Sequence, residues 1–216
     1  MTEKYLCLTN KLKKNNINVF NFNYINYILL VIATIIACFG LLRNNVQAII
    51  ASKICGVSII PFIAFVILLH NFNWDRLPNA ILNCILLIII CLVISFILGF
   101  LNAEYEYNII ITPEMESRAD TSNWQIDLFI AVIASFGIYY AIDKLNIIAL
   151  IGLIFVITIV PGISNAGLFY GMYINGNKNI KNVDNYLDNG NNSMKIFFVN
   201  LIGMIFGLGF ATYINC

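Results

Sequence analysis

Residues 80–101, AILNCILLIIICLVISFILGFL, decide the fold class of this chain. The run carries no charged side chain, and an apolar run of about 18 residues or more matches the hydrocarbon thickness of a bilayer when it forms a helix. Other apolar runs precede and follow it, separated by short polar breaks. The six candidate spans lie at about 24–42, 46–69, 80–101, 126–142, 145–174 and 194–214. The sequence therefore predicts an all-α, multi-pass transmembrane helix bundle.

The overall composition agrees with a membrane protein. The chain has 216 residues, of which 60% are hydrophobic and 11% are charged, against roughly 25% charged residues in soluble domains. The net charge is +1 and the basic residues form no stripe, so we expect no nucleic-acid partner. The expected partners are the lipid bilayer, a second copy of the chain, and a small solute or ion whose identity the sequence does not give.

Catalytic and metal-binding signatures are missing. Four of the six cysteines lie inside apolar runs without metal-ligand spacing, and the chain has a single histidine, so we expect no metal site, no cofactor and no enzyme. The cysteines are interpreted as small buried apolar side chains.

Polar segments divide the chain. Residues 1–23 carry four lysines and are predicted to form a polar cytoplasmic tail, while 24–216 form the transmembrane domain. Within it, 102–125 is an acidic loop between a first repeat at about 24–101 and a second at about 126–214. Six crossings would return the C-terminus to the cytoplasmic side, in a cell (plasma or inner) membrane. The Asn-rich segment 175–193 is predicted to be a hydrated loop.

Two candidate spans contain proline near their middle, Pro61 in the second and Pro161 in the fifth. Proline removes a backbone donor and frees a carbonyl, which lipid cannot satisfy. We therefore expect both interruptions to face the protein interior. The fifth span is also too long for one straight crossing and must tilt, kink or break.

The two halves share landmarks in the same order. Residues 36–41, IACFGL, nearly match 133–138, IASFGI, and Pro61 and Pro161 follow each of them. Three spans per half would place the second copy upside down, as in the inverted repeats of many secondary transporters, whose sites lie where broken helices meet. The alternative is that apolar helices share Ile, Ala, Phe and Gly by composition.

With these features, the chain resembles the hydrophobic membrane protein family of bacteria and archaea described as domain of unknown function 389. The resemblance covers about 24–214, and the residues that carry it are Ala37, Gly40-Leu41-Leu42, Thr112-Pro113-Glu114, Arg118, Asp127-Leu128, Ala131, Val160-Pro161, Gly167 and Phe197-Phe198-Val199-Asn200-Leu201. This chain departs from the family's pattern at Lys53, Val57 and Gly162. The resemblance implies a multi-pass membrane fold and brings no activity with it.

Several polar residues inside the spans are candidates for a solute or ion pathway. These candidate pathway-lining residues are Lys53, Ser58, Pro61, Thr158, Pro161, Ser164, Asn165 and Asn200. Lys53 could bind an anion or pair with a carboxylate, or it could reach the membrane surface along its own stem. Ser164 and Asn165 could line a site or merely satisfy the carbonyls that proline frees. Asn200, like Asn83, could instead join helices by hydrogen bonds.

Arg118 and Asp127 flank the fourth span and are candidates for a gate or interfacial ion pair, or else simply anchor it at the membrane surface. The glycines at 167 and 171, and at 203 and 207, have the spacing that lets two helices approach closely.

The function expected is a small transporter or channel-like protein with a site between the broken helices. The alternative is a non-transporting membrane scaffold or assembly protein.

Overall fold

The computed structural model describes residues 24–55, 59–70, 75–105, 111–144, 146–157, 159–175 and 183–215. Over these residues the chain is helical and contains no strand. The helices, in chain order, are α1 (Tyr24–Leu42), α2 (Val46–Cys55), α3 (Ile59–His70), α4 (Leu77–Tyr105), α5 (Pro113–Ser117), α6 (Trp124–Asp143), α7 (Ile147–Val156), α8 (Val160–Asn175) and α9 (Val183–Asn215). The polar tail predicted for 1–23 lies outside the described residues.

Four of these helices are long and apolar enough to cross a membrane, at Tyr24–Leu42, Leu77–Ala103, Trp124–Asp143 and Asn185–Ile214. Their outer faces are apolar as well. Along α4, for example, Leu82, Ile85, Ile89, Val93 and Ile97 are each about half exposed. A continuous apolar stripe of this length is unfavourable in water and is expected where the surrounding solvent is lipid.

The fifth predicted span is divided into two shorter helices. α7 ends at Val156, Ile157 is extended with φ −85° and ψ 117°, and α8 begins at Val160. The break that was expected in the long fifth span is therefore confirmed. In the second predicted span, residues 56–58 between α2 and α3 lie outside the described residues, and the count of six crossings stays a prediction.

Pro161 occupies the first turn of the helix that follows the break in the fifth span, as the second residue of α8. The first backbone N–H groups of a helix have no intrahelical partner, so a proline there removes no helical hydrogen bond. Pro161 is buried, as is Pro61 in α3, so both prolines face the protein interior and not lipid.

Glycines set the closest helix crossings. A Cβ atom at Gly171 would collide with the backbone of α4 at Phe96, and one at Gly207 would collide with the backbone of α6 at Val132. α8 therefore packs directly on α4, and α9 directly on α6. The predicted packing role of the two glycine pairs is confirmed.

The prediction of a loop over 175–193 was wrong for 183–193, where α9 already begins. Asparagine and Gly190 disfavour helix in isolation, but this first part of α9 packs against α8. The rings of Tyr186 and Phe169 lie 6.3 Å apart, and Gly190 fits beneath the ring of Tyr170. Burial against a neighbouring helix overrides the weak local preference.

Candidate functional site

The short helix α5 is docked on the corner between α1 and α2. The Thr112 hydroxyl accepts a hydrogen bond from the Met115 amide at 3.3 Å and donates one to the Leu41 carbonyl at 2.6 Å. That carbonyl belongs to the last turn of α1, beyond the reach of intrahelical donors, and it also accepts a 3.3 Å hydrogen bond from the Asn44 amide. Asn44, with a φ of 52°, accepts a hydrogen bond from the Glu114 amide at 3.2 Å. Part of the predicted acidic loop is thus a folded cap, and the Met115 side chain is fully buried.

Asn165 joins α8 to this cap and to α9. Its Nδ2 donates to the Met115 carbonyl and to the Ser193 hydroxyl, both at 2.9 Å, and Ser193 donates in turn to the Asn189 carbonyl at 2.8 Å. Because a carbonyl can only accept, the amide orientation is determined by Met115. The Asn165 Oδ1 atom is consequently left buried without a hydrogen-bond partner.

Ser164 points toward α1. Its side chain is fully buried and lies beside the Cys38 thiol, but its Oγ makes no hydrogen bond of good geometry. Buried polar atoms without partners are uncommon in folded proteins and each costs roughly 1–3 kcal/mol. Two successive residues of α8, directly after the Pro161 break, therefore carry unsatisfied oxygen atoms.

Arg118 is the C-cap residue of α5 and pairs with Glu114. Its Nη2 lies 3.1 Å from Glu114 Oε2, while its Nε is buried and has no partner. Burial lowers the pKa of Arg118, and the Glu114 carboxylate opposes that shift. An arginine keeps its charge under such conditions, so a guanidinium with an unused donor remains in the cap.

Lys53 belongs to the same neighbourhood. It lies in the last turn of α2, and its ammonium interacts electrostatically with both Arg118 and Glu114. The structure thus brings a lysine from α2 together with an ion pair from α5. In the following, the term α5 cluster refers to five residues at this cap, namely Lys53, Glu114, Arg118, Asn165 and Ser193.

The remaining candidates lie elsewhere or outside the described residues. Ser58 and Thr158 lie outside the described residues. Asn200 is largely buried in α9. Asp127 lies in the first turn of α6, where it interacts electrostatically with Asp120, and Arg118 pairs with Glu114. The role of Arg118 and Asp127 at a gate or interface stays a prediction.

Asn83 does join two helices, because it accepts a hydrogen bond from the Tyr27 hydroxyl at 3.0 Å.

Sequence reasoning missed Thr112, Glu114 and Ser193 as members or supports of the site. The pattern Thr112-Pro113-Glu114, a capping residue followed by proline and an acid, is a helix-start signal that could have revealed α5. Ser193 gave no such signal. Among the described residues, no three His, Cys, Asp or Glu side chains lie close enough to hold a metal ion.

Comparisons with known proteins were made for the whole sequence. A family model described as Domain of unknown function (DUF389) matches residues 54–206. Neither the curated proteins nor the solved structures contain a match to the chain. The matched range begins in α2 and ends in α9, so it covers Pro61, the break before Pro161, the α5 cap and Asn165.

Proposed function

This chain belongs to the DUF389 family, and on that premise we propose that it is a small membrane transporter or channel-like protein whose solute or ion site is the α5 cluster. One observation carries the proposal. Directly after a helix break, the fully buried Asn165 side chain holds an oxygen without a partner, at the same cap where Arg118 holds an unused donor. A buried polar group of this kind is tolerated where a bound ligand supplies the missing hydrogen-bond partner.

The order of the described elements supports an arrangement of two repeats. α1 and α6 contain 19 and 20 residues, and each is followed by apolar helices in which a proline is buried, Pro61 in α3 and Pro161 in α8. A chance similarity of apolar composition would not require the buried prolines to follow in the same order.

The contacts of α5 support opposite orientations of the halves. Thr112 contacts the C-terminal end of α1, and α6 begins at Trp124, a few residues after α5 ends. α6 must therefore run back from the side at which α1 ends. On this proposal α2 with α3, and α7 with α8, each cross the membrane as one broken helix, which makes six crossings. With residues 1–23 in the cytoplasm, α5 would face the opposite side.

A flux experiment tests the proposal. The purified chain would be reconstituted in liposomes, and the swelling rate would be followed by light scattering in iso-osmotic solutions of potassium salts, ammonium salts and neutral solutes. We expect permeation above protein-free liposomes for at least one solute, and its loss or altered selectivity in Lys53→Ala and Asn165→Ala. Asn83→Ala, which removes a hydrogen bond at Tyr27 and none at α5, is the matched control. Equal flux in all four proteins would remove the α5 cluster from the pathway.

One observation favours the alternative, a non-transporting membrane scaffold or assembly protein. α8 is buried over its whole first part, from Val160 to Phe169, and the Asn175 amide ties its end to the Phe100 carbonyl at 2.9 Å. The burial of α8 and the hydrogen bond at its end are what a helix with a packing role alone would show. Under this alternative the exposed side of α5 is a partner surface. Glu116→Lys, which reverses an exposed charge on α5, should then abolish co-purification of a partner while leaving the fold intact.

A further inference from the structure

The guanidinium of Arg118 is only partly used. Its planar group offers donors in a fork that suits a two-oxygen anion, and Nε and Nη2 form one edge of that fork. Glu114 occupies this edge through a single 3.1 Å contact to Nη2, and Nε has no acceptor. Glu114 is therefore an incomplete ligand for this edge.

A second positive charge lies near the guanidinium. Lys53, on α2, interacts electrostatically with both Arg118 and Glu114. Its positive charge adds to the field that attracts an anion to Arg118, and this attraction is stronger where the groups are partly shielded from water.

The cap is shielded but still reachable. The side chains of Arg118 and Glu114 are 16% and 22% exposed, while the Nε atom itself is buried, so a small anion would reach Nε where the Glu114 carboxylate turns away from it. The surrounding backbone is held by hydrogen bonds from Thr112 and Asn44. The fork is therefore positioned before any ligand arrives, which lowers the entropic cost of binding.

We propose that Arg118, with Lys53 beside it, binds a small oxyanion, a carboxylate or phosphate group, and that Glu114 takes its place when the ligand is absent. The inference rests on the proposed function, because it names the class of solute that the α5 cluster would take. The incoming oxyanion pairs with Nε and Nη2 together, and the Glu114 carboxylate turns outward toward solvent. Glu114 thus competes with the ligand for the guanidinium.

The test is a binding titration of the purified chain in a non-ionic detergent, using inorganic phosphate and acetate at constant ionic strength set by chloride. Arg118→Lys keeps the charge but loses the fork, so we expect binding to weaken about tenfold or more. Glu114→Gln removes the competitor, so binding should tighten several-fold. Arg76→Lys, at an exposed arginine in the turn before α4, is the matched control and should bind as the wild type does.

A second titration distinguishes the two possible sources of a phosphate group, which are a free anion and a lipid headgroup. The titration is repeated in nanodiscs containing either a zwitterionic lipid or phosphatidic acid. If phosphatidic acid alone displaces phosphate in an Arg118-dependent way, the oxyanion site stands and its natural ligand is a lipid headgroup. Phosphate and acetate affinities that are the same in the wild type, Arg118→Lys and Glu114→Gln would overturn the proposal.

The two proposals fail in different ways. Arg118-dependent phosphate binding without any flux in liposomes would refute transport and keep the anion site. Flux of cations or neutral solutes without phosphate or acetate binding would keep transport and refute the anion site.

Discussion

Gly171→Ala is the sharpest test of how the bundle is packed. A Cβ at this position would lie 2.6 Å from the Phe100 amide nitrogen and 3.0 Å from the Gly99 carbonyl carbon, and it would also meet the Phe96 carbonyl. Ordinary contacts of a Cβ begin at about 3.4 Å, so α4 and α8 would have to separate by close to 1 Å. All three obstacles are backbone atoms, so no side-chain rotation can relieve the overlap.

The expected loss of stability follows from that separation. A gap of 0.5–1 Å forfeits about a quarter to a half of the dispersion energy of each affected contact, and overpacking of a filled interior typically costs about 1–3 kcal/mol. α4 and α8 share an extensive contact along their length, so we expect a value near the top of this range. The gain in helix propensity from Gly to Ala, about 1 kcal/mol at most, is too small to cancel it.

The assay is reversible unfolding in mixed micelles with increasing dodecyl sulfate, followed by circular dichroism. Gly152→Ala is the matched control, because a Cβ at Gly152 on α7 meets no atom within 4 Å. This control should unfold at the same or a higher detergent fraction than the wild type, because it gains up to about 1 kcal/mol of helix propensity and meets no clash. If Gly171→Ala and Gly152→Ala unfolded at the same detergent fraction, the direct contact between α4 and α8 would be refuted.

Three further predictions concern the cap, the site and the lipid face. Thr112→Val removes the N-cap of α5 and the donor to the Leu41 carbonyl, so it should lower the free energy of unfolding by about 1–2 kcal/mol. Thr112→Ser keeps the hydroxyl and should retain most of the wild-type stability in the same unfolding assay. Asn165→Asp replaces the Nδ2 donor by an acceptor facing the Met115 carbonyl, and Tm in detergent should fall further than in Asn165→Ala; an equal Tm would contradict the assigned amide orientation. Phe206→Arg places a charge on the outer face of α9, where Phe206 is 66% exposed, and should reduce membrane insertion by about 2.5–3.5 kcal/mol in an insertion assay; unimpaired insertion would show that this face does not meet lipid.

Much of the site could be predicted because polar residues are costly, and therefore rare, within apolar membrane-spanning segments. Lys53, Arg118 and Asn165 were identified as polar groups in or beside apolar spans, and the structure brings all three to α5. The resemblance to the DUF389 family is likewise confirmed. Ser193 was missed because its surroundings are rich in asparagine, and local propensity favours a loop there. The packing of Tyr186 on Phe169 is a contact between distant parts of the chain, which no local pattern contains.

The sequence by itself determined the membrane class, the break in the fifth span and the glycine crossings, because each depends on length, charge or side-chain volume within a single segment. Only the tertiary structure decided which polar groups face one another. Whether Asn165 meets Met115 and Ser193, and whether Arg118 pairs with Glu114 or Asp127, depends on how the helices are rotated about their axes and on where α5 docks. Those rotations are set by many weak contacts summed over the whole bundle.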